Sequence, residues 1–254
     1  MTSEEARARL TARGFHPDAV DVLVTHFEDA DRRGKIGHGL SRVAWLESLA
    51  VDPSARPVLL ESLEGIETWD GHGALGYLVL DEIVRAALAD PPERARVVVA
   101  RRCFPTGVLG YWARRLADGG LVAALTATSP RRLPHPDGGP ALTGTNPLAI
   151  AIPSSDGAPV VADVSMGAVT HGDVLAGEAT AEELVPFGGE QAHKAFALAV
   201  GLELLVSALA GPEHGAVLVV ARPEHDPVPA LRQLAAGRRL PGDQRLDAKF
   251  PRAG

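Results

Sequence analysis

Apolar residues in the first fifty positions fall mostly at helical spacing. Glu4–Ala12 is a short amphipathic stretch, and Asp18–Arg33 places Val20, Leu23, Val24 and Phe27 on one face behind Pro17, a residue suited to a helix entry. Leu40–Leu49 resumes the pattern after a break rich in glycine (Gly34, Gly37, Gly39). Further on, runs of strand length appear at Ile66–Trp69, Arg96–Ala100, Leu121–Thr126, Leu148–Ile152, Val160–Val164 and Ala216–Ala221. Helical spacing returns at Gly76–Ala89, Leu109–Ala117, Ala192–Leu209 and Val228–Ala236, while Pro and Gly in Ser129–Gly144 predict a loop. Helices and strands are intermixed, so the expected class is α/β in the broad sense, a mixed α+β arrangement. The expected organisation is a helical N-terminal part (1–60), a mixed-sheet core (61–222) and a C-terminal helix and tail (223–254).

Composition narrows the function classes. The 254 residues, 46% hydrophobic and 22% charged, can bury a full core in one large or two small domains. A net charge of -7 and the lack of a basic stripe argue against nucleic acid. Cys103 is the only cysteine, so no internal disulfide forms, and a cytoplasmic setting is expected. No i, i+4 histidine pair flanking an acid and no CxxC occurs, so no metal site is expected. No membrane span is expected either: Ala195–Gly211 carries Glu203 and reads as a buried core helix, and Met1–Arg9 lacks the apolar stretch of a signal peptide. Lysine occurs only at positions 35, 194 and 249, every other basic residue being arginine. Codon bias accounts for most of that, yet Lys194 opens an apolar helix.

Gly71-His72-Gly73-Ala74-Leu75-Gly76 matches G-x-G-x-x-G literally, but its preceding run holds Glu67, Trp69 and Asp70, and the next strand ends in Arg101-Arg102 rather than an acid. It reads as a turn that starts a helix. Four other places carry candidate chemistry. His38, between Gly37 and Gly39, is either a surface-turn residue or an acid–base group, with Arg42 one turn on and suited to a carboxylate. Thr145 and Asn146 before Pro147 are either a structural turn or hydrogen-bonding groups. Asp163 and Ser165, at the exit of a strand, are either capping residues or ligand contacts. His193-Lys194 opens a helix, where a cation is disfavoured unless it snorkels or meets an anion.

In this order the sites resemble the malate/L-lactate dehydrogenase family of the non-Rossmann type, which includes ureidoglycolate dehydrogenases, diketogulonate reductases and piperideine-carboxylate reductases. The resemblance rests on GHGLSR (37–42), IETWDGHGALG (66–76), GYWARRLADGGL (110–121), GTNPLAIAIPS (144–154), VVADVSMGAVTHG (160–172), HKAFALAVGLELL (193–205) and RLPGDQ (239–244). It implies a non-Rossmann mixed sheet with a helical N-terminal part, a homodimer, and NADPH or NADH as cofactor. It further implies reduction of a C=O or C=N bond beside the carboxylate of a small 2-oxo or cyclic 2-imino acid. His38 would donate the proton, and Arg42, Thr145 and Asn146 would face the substrate. Val161, Ala162, Asp163, Val164, Ser165, His193, Lys194, Gly242 and Asp243 would hold the cofactor, with Gln244 continuing the last stretch. The alternative is a same-fold protein without nicotinamide chemistry, either running acid–base cyclisation or isomerisation in a specialised biosynthetic pathway or non-catalytic. It is suggested by departures from the family pattern: Gly37 for serine, Phe104 for a substrate-side histidine, Ala127 for an asparagine, and shortened segments after Gly172 and between Gly211 and Gly242. The departures at 37, 104 and 127 predict a less polar substrate pocket.

Overall fold

The computed structural model describes residues 1–63 and 65–243. Three helices open the chain. In α1 (Ser3–Ala12), Thr2 and Glu5 form a reciprocal capping box, and α2 (Pro17–Arg32) starts on the expected proline. α3 (Arg42–Glu47) begins later than its apolar pattern suggests, because Leu40 N–H donates to the Asp31 carboxylate and holds the chain out of helix.

The sheet has seven strands: β1 (Val58–Leu63), β2 (Ile66–Asp70), β3 (Ala95–Arg101), β4 (Val122–Ala127), β7 (Leu148–Ile152), β8 (Val160–Val164) and β9 (Ala216–Ala221). Their order is β1-β2-β3-β9-β4-β7-β8. Only β2 and β3 pair in parallel, joined by α4 (Gly76–Ala89), and every other neighbour is antiparallel. A mixed sheet of this order is not doubly wound. The Gly71–Gly76 turn does sit in a β–α–β unit, and β2 is buried along most of its length, contrary to the reading of its polar residues. The turn is structural on different grounds. A Cβ on Gly71 would lie 2.2 Å from the Arg102 carbonyl, and one on Gly76 would lie 2.7 Å from the Phe104 nitrogen. Asp70 accepts from His72 N–H and from Arg102.

α4 and α5 (Leu109–Asp118) bury their apolar faces in a core shared by the N-terminal helices and the sheet, with Phe27, Tyr77, Trp112, Leu116 and Leu125 at its centre. Pooling many apolar side chains in one core makes burial the main driving force.

Two expectations are corrected, and one strand is new. Ser129–Gly144 is not a loop: β5 (Leu133–His135) and β6 (Gly138–Thr143) form a hairpin, anchored by the fully buried Leu133. β1 went unanticipated because all six of its residues are exposed, so it shows no alternation. The long helix α7 (Ala192–Ala210) is not a buried core helix. Only Ala195, Ala199, Val206 and Ala210 are buried, against Val99 and Val217 at one end, while Leu198, Leu204, Leu205 and Leu209 face outward. Together with the turn before it, the stretch Gly189–Ala210 is long and apolar enough to cross a membrane by length and composition alone. Two short α-helices remain among the described residues, α6 (His171–Leu175) and α8 (Val228–Ala235).

Candidate active site

His38 ends a 3-10 turn, Ile36–His38, and Arg42 starts α3 after an extended Gly39. The two therefore do not share a helix face, but both line one cavity of about 460 Å³. The His38 turn is held against α6 by two glycine backbones. A Cβ on Gly37 would lie 2.5 Å from the carbonyl carbon of Gly172. The Gly37 departure thus has a packing cause, and it brings Thr170, His171 and Asp173 into the cavity wall.

The electrostatics of the cavity are distinctive. Nδ1 of His38 is sealed from solvent and unpartnered. Burial, then the charges of Arg42 and Lys35, hold its imidazole at about 4, with Asp173 and Asp163 pulling the other way. His38 is neutral at ordinary pH. Arg42 is 7% exposed, its guanidinium stacks on Trp45 at 3.8 Å, and its Nε and Nη1 lack hydrogen-bond partners. No carboxylate pairs with it among the described residues. A buried, unpaired guanidinium is costly by itself, so this one is built for an anion.

The cavity is also lined by Phe104 and Ala127, together with Thr145, Ser165, Arg132 and His171. Thr145 is fixed by its carbonyl, which accepts from Met166 N–H at 2.8 Å. Asn146 is placed differently from the substrate-facing role expected for it. It is fully buried at φ 29°, and Nδ2 donates to Glu203 at 2.6 Å and to the Ala199 carbonyl at 3.1 Å. It anchors α7 and does not line the cavity. Arg132 and His171 were missed in the sequence: one sits in the presumed loop, the other in a Thr-His-Gly-Asp run with no distinguishing spacing.

A second cavity of about 540 Å³ adjoins the first, sharing Lys35, Val108, Asp163 and Val164 with it. It follows β8 through Val161, Ala162 and Asp163 to Gly242 and Asp243. Val161 N–H donates to the Pro241 carbonyl at 2.9 Å, which brings these distant stretches together. Gly110 lets α5 approach, since a Cβ there would lie 2.8 Å from that of Asp163. The Asp163 carboxylate is ion-paired with Lys35. Arg32, Arg33, Arg114 and Arg239 also line this groove. Arg32, Arg33 and Arg114 share the one carboxylate of Asp29, at 3.4, 2.9 and 4.0 Å. Burial, then the charge of Arg33, lowers the Arg114 pKa, as expected where positive charge is undercompensated. His193 and Lys194 line neither cavity. Both are exposed at the head of α7, with Lys194 Nζ bonded to Gln191 Oε1. Gln244 lies outside the described residues.

The model of the malate/L-lactate dehydrogenase family matches residues 2–184. The chain belongs to that family. It is 30% identical to the L-lactate dehydrogenase of Cupriavidus necator, over 83% of this chain and 70% of the relative. It is 29% identical to the Delta(1)-pyrroline-2-carboxylate/Delta(1)-piperideine-2-carboxylate reductase of Pseudomonas syringae pv. tomato, over 81% and 68%. The crystal structure of delta1-piperideine-2-carboxylate reductase from Pseudomonas syringae superposes with a TM-score of 0.82 at 26% identity, covering 95% of this chain and 89% of that one. As a family member, the chain is an oxidoreductase with the family's mixed-sheet architecture.

Proposed function

We propose that the protein reduces a C=O or C=N bond next to a carboxylate, in a small 2-oxo or cyclic 2-imino acid, with NADPH or NADH. The observation that carries this reading is Arg42: a buried guanidinium without a counter-ion, in the same cavity as His38. A substrate carboxylate supplies the missing partner through charge-assisted hydrogen bonds.

The residues fit a dinucleotide. A groove continues from the His38 cavity along Val161–Val164 to Gly242 and Asp243, and arginines line it with more charge than Asp29 neutralises. Val161, Ala162, Asp163, Val164, Gly242 and Asp243 would flank the cofactor, Ser165 would stand at its substrate end, and Arg33 and Arg114 would meet its phosphates. We assign His193 and Lys194 no part in this groove. When bound, the reduced nicotinamide supplies hydride to the substrate carbon.

The chain's own residues do the rest. Arg42 orients the substrate by its carboxylate, with the Trp45 ring behind the guanidinium. His38 delivers the proton to the oxygen or nitrogen that gains charge as the double bond is lost. Its resting pKa of about 4 makes protonation unfavourable in the free protein, and a bound anion beside it raises that value. In the reverse direction the same neutral imidazole is ready to accept the proton. The relatives carry dehydrogenase and reductase names, and we retain the redox reading over acid–base cyclisation.

We further infer a homodimer in the cytoplasm. The outward leucines of α7 form an apolar face that a second copy would cover, and Cys103 is a buried free thiol, as suits a reducing compartment. Oxidation of NADPH or NADH in the presence of 2-oxo and cyclic 2-imino acids tests the activity.

A further inference from the structure

Arg42 is not the only guanidinium in the substrate cavity without a carboxylate. Arg132, at the foot of the β5–β6 hairpin, lines the same space, and its Nη2 donates to Nε2 of His171 at 3.2 Å. Among the described residues neither arginine has an ion pair. Of the two acids lining the cavity, neither pairs with Arg42 or Arg132, and the charge of Asp173 acts on His38. Asp163 pairs with Lys35. Asp173 caps α6, accepting from the backbone N–H and hydroxyl of Thr170 at 2.8 and 2.9 Å.

The imidazole of His171 adds no charge. Burial, then Arg132 and Arg42, hold it at about 4, so its Nε2 accepts from Arg132 at neutral pH. Burial and the charge of Arg42 also lower the Arg132 pKa. Two guanidiniums in a partly sealed cavity repel each other and are poorly solvated. One substrate carboxylate compensates one of them. Trp45, Phe104 and Ala127, which line the same cavity, contribute no counter-charge. The polarity expected to be lost at positions 104 and 127 therefore reappears as the charge of Arg132 at the foot of the hairpin and the neutral imidazole of His171 at the start of α6.

We propose that the substrate carries a second acidic group: its 2-oxo or 2-imino carboxylate rests on Arg42, and its second anion rests on Arg132 beside His171. The geometry points to a compact dianion, with Phe104 and Trp45 packing against the carbon chain. This rests on the reductase reading for the identity of the first carboxylate, and the test separates the two.

Binding is measured by calorimetry with 2-oxopentanedioate against 2-oxopentanoate, and 2-oxobutanedioate against 2-oxobutanoate, with oxidised NADP or NAD both present and absent. The wild-type protein is expected to bind at least one dianion roughly 10-fold or more tighter than the monoanion of equal length, as an added charge-assisted contact gives. In Arg132→Gln that preference is expected to collapse to within about 3-fold, and Arg132→Lys is expected to recover part of it. No dianion preference at either length, or a preference that survives Arg132→Gln, overturns the second subsite. Titration with NADPH and NADH in the same samples reads the reductase proposal separately: cofactor binding without dianion preference sinks only the subsite, and absence of cofactor binding sinks the reductase reading.

Discussion

Gly37 and Gly172 meet backbone to backbone. A Cβ on Gly37 would sit 2.5 Å from the Gly172 carbonyl carbon, and a Cβ on Gly172 would sit 2.3 Å from the Gly37 oxygen and 3.3 Å from Nε2 of His38. Neither obstacle is a flexible side chain, so relief requires the 3-10 turn and α6 to separate. Both elements carry cavity residues, His38 on one and His171 on the other. The contact therefore links stability to the shape of the site.

Gly37→Ala should destabilise the protein by about 1–3 kcal/mol, the usual range for overpacking. Urea unfolding checks this. A wild-type midpoint in the variant would show that the seam is looser than described. Placing serine at 37, as the family pattern has it, should cost no less, because the clash is with the Cβ itself.

Acid should weaken the fold through His38. Its folded value is about 4 against an ordinary 6.5. Between those values the unfolded chain holds a proton that the native protein refuses, so stability falls as pH drops through that window and is unaffected by this group above it. His38→Gln should flatten that part of the profile. Urea midpoints near pH 7 and near pH 5 measure the change, and an equal acid loss in variant and wild type would contradict it.

Much of the fold was legible because burial and periodicity agree. The limits of α4, β7, β8 and β9 follow from apolar runs with clear stops, and α2 and α5 from one apolar face each. β1 and the hairpin were not legible, since exposed or proline-interrupted strands lack alternation. α7 misled for another reason: a helix that is apolar nearly all round looks the same whether its own chain or another copy covers it. In the site, His38 and Arg42 could be singled out by their glycine-rich setting. Arg132 and His171 could not, because they lie far apart in the chain and meet only through the hairpin. Asn146 carried a motif signal whose physical basis is a left-handed turn pinned to Glu203.

Arg33 and Arg114 should bind cofactor phosphate. Replacing either by Gln is expected to weaken NADPH binding about 10-fold, the scale of one charge-assisted contact, and to reduce the salt dependence of binding. Fluorescence titration at two ionic strengths reads both. Unchanged affinity in the double variant would remove these arginines from the cofactor groove.

The outward face of α7 should hold two copies together. Leu204, 64% exposed, and Leu198, 52% exposed, would be buried in such a pair. Leu198→Lys with Leu204→Lys should shift sedimentation from dimer to monomer. A monomeric wild type, or an undisturbed dimer in the variant, would place the interface elsewhere, and detergent-dependent solubility of the wild type would point to a membrane instead.

The most direct measurement follows reduced-nicotinamide absorbance on mixing the protein with NADPH or NADH and a panel of 2-oxo and cyclic 2-imino acids. A reductase oxidises one mole of cofactor per mole of acid reduced. His38→Ala should slow that turnover about 10²–10⁴-fold while cofactor still binds, and Arg42→Lys should raise KM more than 10-fold, about 1.5 kcal/mol of lost guanidinium contact. Failure of the wild type to bind either cofactor, or full turnover in His38→Ala, would contradict the assignment.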